Sequence, residues 1–145
     1  VDVMEHIFED ELVFKNFMNA LKPGGKLLVN TPSNLGGSDA HSEDDESFIE
    51  EHARIGYSKE DITDKLNRAG LDVTDFSYSY GKYGTISWRF GIKYPILMAG
   101  ASKFLILLLP FYYLFTLWFV LILMWLDVHT YNEEGTGVLV IAEKK

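Results

Sequence analysis

Phe104 to Leu126 runs for 23 residues without a charge, the length at which an apolar stretch reads as a membrane-crossing helix. Few folds can absorb such a segment. Trp88, Tyr94, Trp118 and Trp125 flank or stud it, and Lys93 and Lys103 lie on its N-terminal side, as at a lipid–water boundary. The stretches on either side read as strands. Phe76, Tyr78 and Tyr80 alternate within Val73 to Tyr80, and Val138 to Ile141 is a short buried run bracketed by Gly135, Gly137 and Glu143-Lys144-Lys145. If both strands join one sheet, a single crossing would put them on opposite sides of a bilayer. The number of crossings is therefore zero or even. Pro110 divides the segment, and its halves, Pro95 to Leu109 and Phe111 to Leu126, have 15 and 16 residues, each short of the roughly 20 that a span requires.

The expectation is an apolar helical insertion over residues 84–130, a hairpin or kinked pair that dips into one leaflet or lies at the interface. The dry alternative is a lid over a cleft or a homodimer interface. The second half is apolar nearly all round, so more than one of its faces needs cover. A soluble monomer fits this pattern least.

Charge is divided in the same way. From Phe76 to Leu126 there is no acid, and Lys82, Arg89, Lys93 and Lys103 make that stretch +4. The remaining 9 basic and 21 acidic residues give −12 elsewhere, so the two parts suit different surroundings. A net charge of −8 argues against a nucleic-acid partner. With no cysteine, disulfides and thiolate metal sites are excluded.

The remainder reads as alternating strands and helices. Val1 lies inside a strand, so an N-terminal part is expected to be missing. Glu9-Asp10-Glu11 suits a helical first turn, and Phe14, Phe17, Met18 and Leu21 fall on one face of the helix that follows. Lys22-Pro23 stops this helix, Gly24-Gly25 permits a sharp turn, and Leu27-Leu28-Val29 reads as a strand covered on both faces. Ser33 to Glu51 reads as a solvated, mobile loop. Its acidic run Glu43-Asp44-Asp45-Glu46 lacks the alternating spacing and glycine of a calcium loop. Ser58 and Asp61 form a capping box, Ile62, Leu66 and Ala69 make an apolar stripe, and Gly70 ends the helix. The order is that of an α/β sheet protein.

Glu5-His6-Ile7 after a strand, Leu21-Lys22-Pro23-Gly24-Gly25 before the next, and Tyr57-Ser58-x-x-Asp61-Ile62 ending at Ala69-Gly70-Leu71-x-Val73 together resemble the C-terminal half of class I S-adenosylmethionine-dependent methyltransferases. The group most similar is methyltransferase type 11, with the ubiquinone-pathway O-methyltransferases. The resemblance covers Val1 to about Tyr80 and the last strand. It implies a partial Rossmann-like sheet of the fourth to seventh strands, with the apolar helical insertion before the last strand. That last strand would insert antiparallel between the fifth and sixth. Ligands of such sheets sit at the carboxyl ends of the strands. The family's glycine-rich cofactor loop and the acid after its second strand are not in this chain, so the chain alone is expected to bind S-adenosylmethionine weakly or not at all. The activity belongs to the parent protein, and a hydrophobic or membrane-resident, lipid-like methyl acceptor is expected. The expected location is the cytoplasm or the cytoplasmic side of a membrane. The alternative is a non-catalytic module whose degenerate sheet is anchored or dimerised by its apolar pair.

Asp2, Glu5 and His6 form D-x-x-E-H, similar to the E-x-x-E-H with which the ubiquinone-pathway enzymes bind magnesium. In the same comparison Val1 and Asp2 fall at the cofactor. Three roles stand open for the cluster. Glu5 and His6 hold the following turn and the cleft wall, or His6 with Glu5 is a general base or orients substrate, or Asp2, Glu5 and His6 hold magnesium. His52 and Arg54 lie where these enzymes often contact substrate, and loop packing is the competing role for that pair.

Overall fold

A computed structural model describes residues 4–36 and 56–145 of the 145. Val1, Asp2, His52, Arg54, the acidic run at 43–46 and most of the loop that holds it lie outside the described residues. The chain divides into two units, Val1–Tyr78 with Thr136–Lys145, and Ser79–Gly135.

The first unit is mixed α/β. Its elements are a 3-10 turn, Met4–His6, helix α1, Asp10–Ala20, strand β1, Lys26–Pro32, helix α2, Lys59–Ala69, strand β2, Leu71–Ser79, and the returning strand β3, Gly137–Lys144. The sheet is antiparallel, in the order β1-β3-β2, so the last strand sits between the other two. Its register with β1 pairs Val29 with Val140 and Thr31 with Val138. All four side chains are buried.

Local chemistry sets most of these boundaries. Gly25 N–H donates to Lys22 O at 2.8 Å, which with Pro23 second and Gly24 third at φ +74 makes a turn of type II between α1 and β1. Ser58 Oγ accepts from Asp61 N at 3.1 Å at the start of α2, and Gly70 closes that helix in the left-handed region at φ 92. Phe14, Ile62, Leu66, Tyr57, Leu71, Val29 and Val140 form the core against α1 and α2. Burying each large aliphatic or phenyl group contributes about 1.5–3 kcal/mol.

Two sequence expectations need correction here. Leu28 is 57% exposed, so β1 is not covered on both faces; its inner face carries Val29 and Thr31, and alternation turns Leu28 outward. Phe17 is 41% exposed, whereas Val13, Met18 and Leu21 pack beside Phe14. The buried stripe of α1 therefore lies one position to the side of the one expected.

The second unit is an antiparallel helical hairpin. One arm joins α3, Lys82–Trp88, a π-helical turn, Arg89–Lys93, and α4, Tyr94–Ala101. The other arm is α5, Lys103–His129. Pro110 lies inside α5 and does not divide it. The break falls at Ser102, which is extended at φ −164 and ψ 137 and caps α5 by accepting from Phe104 N. A proline deletes one backbone bond of a helix, but a chain that reverses has to leave helical geometry, and Ser102 does so with a cap in place. At 27 residues, α5 is about 40 Å long, so the two short halves expected from the sequence are replaced by one helix of spanning length.

At the base of the hairpin, Gly81 gives α3 no side-chain cap. Asp127 of the opposite arm supplies it, with Gly84 N–H donating to Asp127 Oδ1 at 2.9 Å. A side chain at Gly84 would run into the Asp127 carboxylate, so the approach depends on glycine. Further along, Pro95 has no N–H, and Gly91 O thereby loses its α-helical donor. Tyr94 N–H donates five residues back, to Arg89 O, so Phe90 O loses its own donor as well. Tyr112 OH donates to Phe90 O at 2.7 Å and Tyr113 OH to Gly91 O at 2.8 Å. Both released carbonyls are thus satisfied across the hairpin.

Candidate functional site

The carboxyl end of β1 collects the polar groups of the first unit. Thr31, on the inner face of that strand, is 1% exposed and donates through Oγ1 to Glu5 Oε2 at 3.3 Å. Glu5 is 4% exposed. Its other oxygen lies 3.7 Å from His6 Nε2, beyond hydrogen-bond length. The His6 side chain keeps a third of its surface open. Glu5 and His6 are therefore brought together at one strand end, the acid inside and the imidazole at the surface.

Tyr57 organises the inner side of this turn. Its ring is fully buried, and its hydroxyl donates to Asp10 Oδ2 at 2.7 Å and reaches Met4 O at 3.2 Å. Lys65 Nζ donates to the same Asp10 oxygen at 2.7 Å, and both ionic side chains are largely buried. The Met4–His6 turn, the start of α1, the Tyr57 segment and α2 are thus tied at one point. The Tyr57 segment runs beside the strand end, with a parallel bridge between Ser33 and Tyr57 and Tyr57 N–H donating to Pro32 O at 3.0 Å. Gly56 is at φ +154, and a Cβ there would strike the backbone of Pro32 and Ser33.

Such a site can hold and move a proton. An imidazole partly open to solvent is a group that can exchange a proton with a neighbour. No group of three His, Cys, Asp or Glu fit to hold a metal is found among the described residues; the D-x-x-E-H trio needs Asp2, which is outside them.

Thr31 and Lys65 are not singled out by sequence, and Asp10 and Tyr57 are read there only as a helical first turn and as part of the resemblance. Tyr57 and Asp10 are 47 residues apart and Lys65 and Asp10 are 55 apart, so no local spacing reveals them. The available signal was Asp10 itself, an acid directly before an apolar helical face. Compared with family models, with curated proteins and with solved structures, the chain matches none of them.

Proposed function

We propose that the chain is the C-terminal part of an S-adenosylmethionine-dependent methyltransferase whose acceptor is hydrophobic or membrane-resident. The observation that carries this reading is topological. The last strand returns between β1 and β2, antiparallel to β1, which is the placement that the resemblance to class I methyltransferases implies for the seventh strand of a partial Rossmann-like sheet. The Glu5-His6 turn stands against the carboxyl end of β1, where such sheets take ligands.

The donors at this end suit the cofactor's neighbourhood in part. Glu5 and His6 supply an acid and an imidazole, and Val1 and Asp2, assigned to the cofactor by resemblance, precede them with Val3 and Met4 between. S-adenosylmethionine supplies an electrophilic methyl group when bound. The protein's task is then alignment of the acceptor, with His6 removing a proton where the acceptor carries one. Magnesium on Asp2, Glu5 and His6 is the other role for these side chains, since this ion needs few protein ligands. His52 and Arg54 are proposed for the substrate side.

Calorimetric titration of S-adenosylmethionine into the intact gene product tests the reading. Saturable one-site binding is expected. Failure to bind would overturn it and favour a non-catalytic anchoring module. His6→Ala should leave cofactor binding intact and lower kcat about a hundredfold, the low end for a general base. The low end applies because a third of the side chain is exposed and its carboxylate partner is 3.7 Å away. An unchanged kcat would assign His6 to the cleft wall only.

A further inference from the structure

The second unit carries a division that simple apolarity does not require. Lys82, Arg89 and Lys93 recur at seven and then four residues along the first arm, which sets them along one side of it. On α5 the outward positions Phe104, Leu107, Phe111, Phe115, Trp118 and Trp125 are all exposed, and only 6% of the helix's most apolar window is buried. The first arm carries Lys82, Arg89 and Lys93 beside exposed Ile92, Ile96 and Leu97, whereas α5, beyond its first residue Lys103, presents aromatic and aliphatic side chains with no polar face.

We propose that this hairpin is a one-sided anchor in an anionic lipid leaflet. Helix α5 lies in the outer acyl layer, and the Lys82–Ala101 arm lies above it with its cations at the headgroup phosphates. This rests on the membrane part of the reading above and not on methyl transfer.

Three observations lead to it. The hairpin is finished for a medium without water: the carbonyls of Phe90 and Gly91, freed by the π turn and Pro95, accept from Tyr112 and Tyr113. Lipid cannot supply those bonds, so side chains have to. The charge is complementary to anionic lipid, with four cations and no acid from Phe76 to Leu126. Finally, β2 and β3, which lead into and out of the hairpin, are neighbours in one sheet, so the chain enters and leaves on the same side of a bilayer. Spanning would require the first arm to cross as well, carrying Arg89 and Lys93 about 10 and 16 Å in from Lys82, into hydrocarbon where cations are costly.

The chain provides its own probes. Its three tryptophans, Trp88, Trp118 and Trp125, are all in the hairpin, and it has no cysteine. The full 145-residue chain is moved from detergent onto sealed vesicles of phosphatidylcholine, with or without phosphatidylglycerol. Flotation with the phosphatidylglycerol vesicles is expected. Tryptophan emission should shift to the blue and be quenched more by bromines near the headgroup than by bromines at the chain end. Arg89→Gln/Lys93→Gln should lower partitioning onto the anionic vesicles roughly thirtyfold, about fivefold for each charge. Its partitioning onto phosphatidylcholine and its helix content in detergent should not change. Ser102→Cys, at the tip, should react with an impermeant maleimide added outside the vesicles.

Equal partitioning of wild type onto both vesicle types would overturn the anionic preference. A tip that reacts only after the vesicles are lysed would show a spanning hairpin and overturn the one-leaflet placement. A discrete dimer that ignores both vesicle types would assign the apolar face to a second copy. No readout uses S-adenosylmethionine, so these failures stay separate from failure of the methyltransferase reading.

Discussion

Lys65→Met should destabilise the first unit by about 3–5 kcal/mol, the cost of leaving a buried charge without its partner. Asp10 is 3% exposed, and its Oδ2 takes both the Lys65 ammonium and the Tyr57 hydroxyl at 2.7 Å. Methionine preserves the apolar stem of Lys65 but withdraws the charge that faces a buried carboxylate, while the Tyr57 hydroxyl stays in place. Asp61, 3.7 Å from the same ammonium, is nearly half exposed, and its loss of a partner costs little. Because the pair acts as a unit, Asp10→Asn/Lys65→Met should cost less than Lys65→Met alone: the amide still accepts from Tyr57 and no unpaired charge remains. Hydrogen exchange at the Val29 and Val140 amides, which lie opposite each other in the core of the sheet, reads this stability without interference from the hairpin. A single variant that exchanges like wild type would show that Asp10 finds water or another cation.

Tyr112→Phe/Tyr113→Phe should have the second large effect. Each hydroxyl is the donor to a backbone carbonyl that has lost its helical partner. Leaving a buried acceptor unsatisfied costs about 1–3 kcal/mol, so the pair should lose about 2–6 kcal/mol of hairpin stability in lipid. In water the effect should be much smaller, since solvent takes over the bond. Amide exchange of α4 measured in vesicles and then in a water-rich micelle separates the two cases. The aromatic rings stay in place in the variants, so a loss in vesicles alone reports on the carbonyls. Identical exchange for variant and wild type in both media would show that Phe90 and Gly91 do not depend on these tyrosines.

Features written in adjacent residues were legible in the sequence. The Ser58 cap, the Gly70 stop and the Pro23-Gly24 turn each follow from local backbone preferences, and the structure contains all three. The return of the last strand is different: only the family resemblance implied it, and the structure has that strand between the other two, with Val138, Val140 and Ala142 buried. Solvent exposure and long-range contact are not written in adjacent residues. Leu28 looked covered because its neighbours are apolar, yet alternation alone put it outside. Pro110 looked like a boundary because proline is a local breaker, whereas one missing bond does not stop a 27-residue helix. At the candidate site, Glu5 and His6 could be found as neighbours. Asp10, Tyr57 and Lys65, which tie that turn to the rest of the unit, are joined only through folding. Tyr112 and Tyr113 read as ordinary apolar content until Pro95 and the π turn reveal two carbonyls that need them.

The proposed chemistry and the proposed location meet at the acceptor. If His6 and Glu5 line the proposed cleft and the hairpin is the proposed lipid anchor, a methyl acceptor that partitions with membranes gives both a common use. The direct measurement is transfer of tritiated methyl from S-adenosylmethionine, catalysed by the intact gene product in the presence of cell-membrane vesicles, followed by extraction into organic solvent. Label should appear in the organic phase and fall about a hundredfold in rate with His6→Ala. Cofactor that binds while label reaches only water-soluble products, or no product at all, would contradict a membrane-resident acceptor.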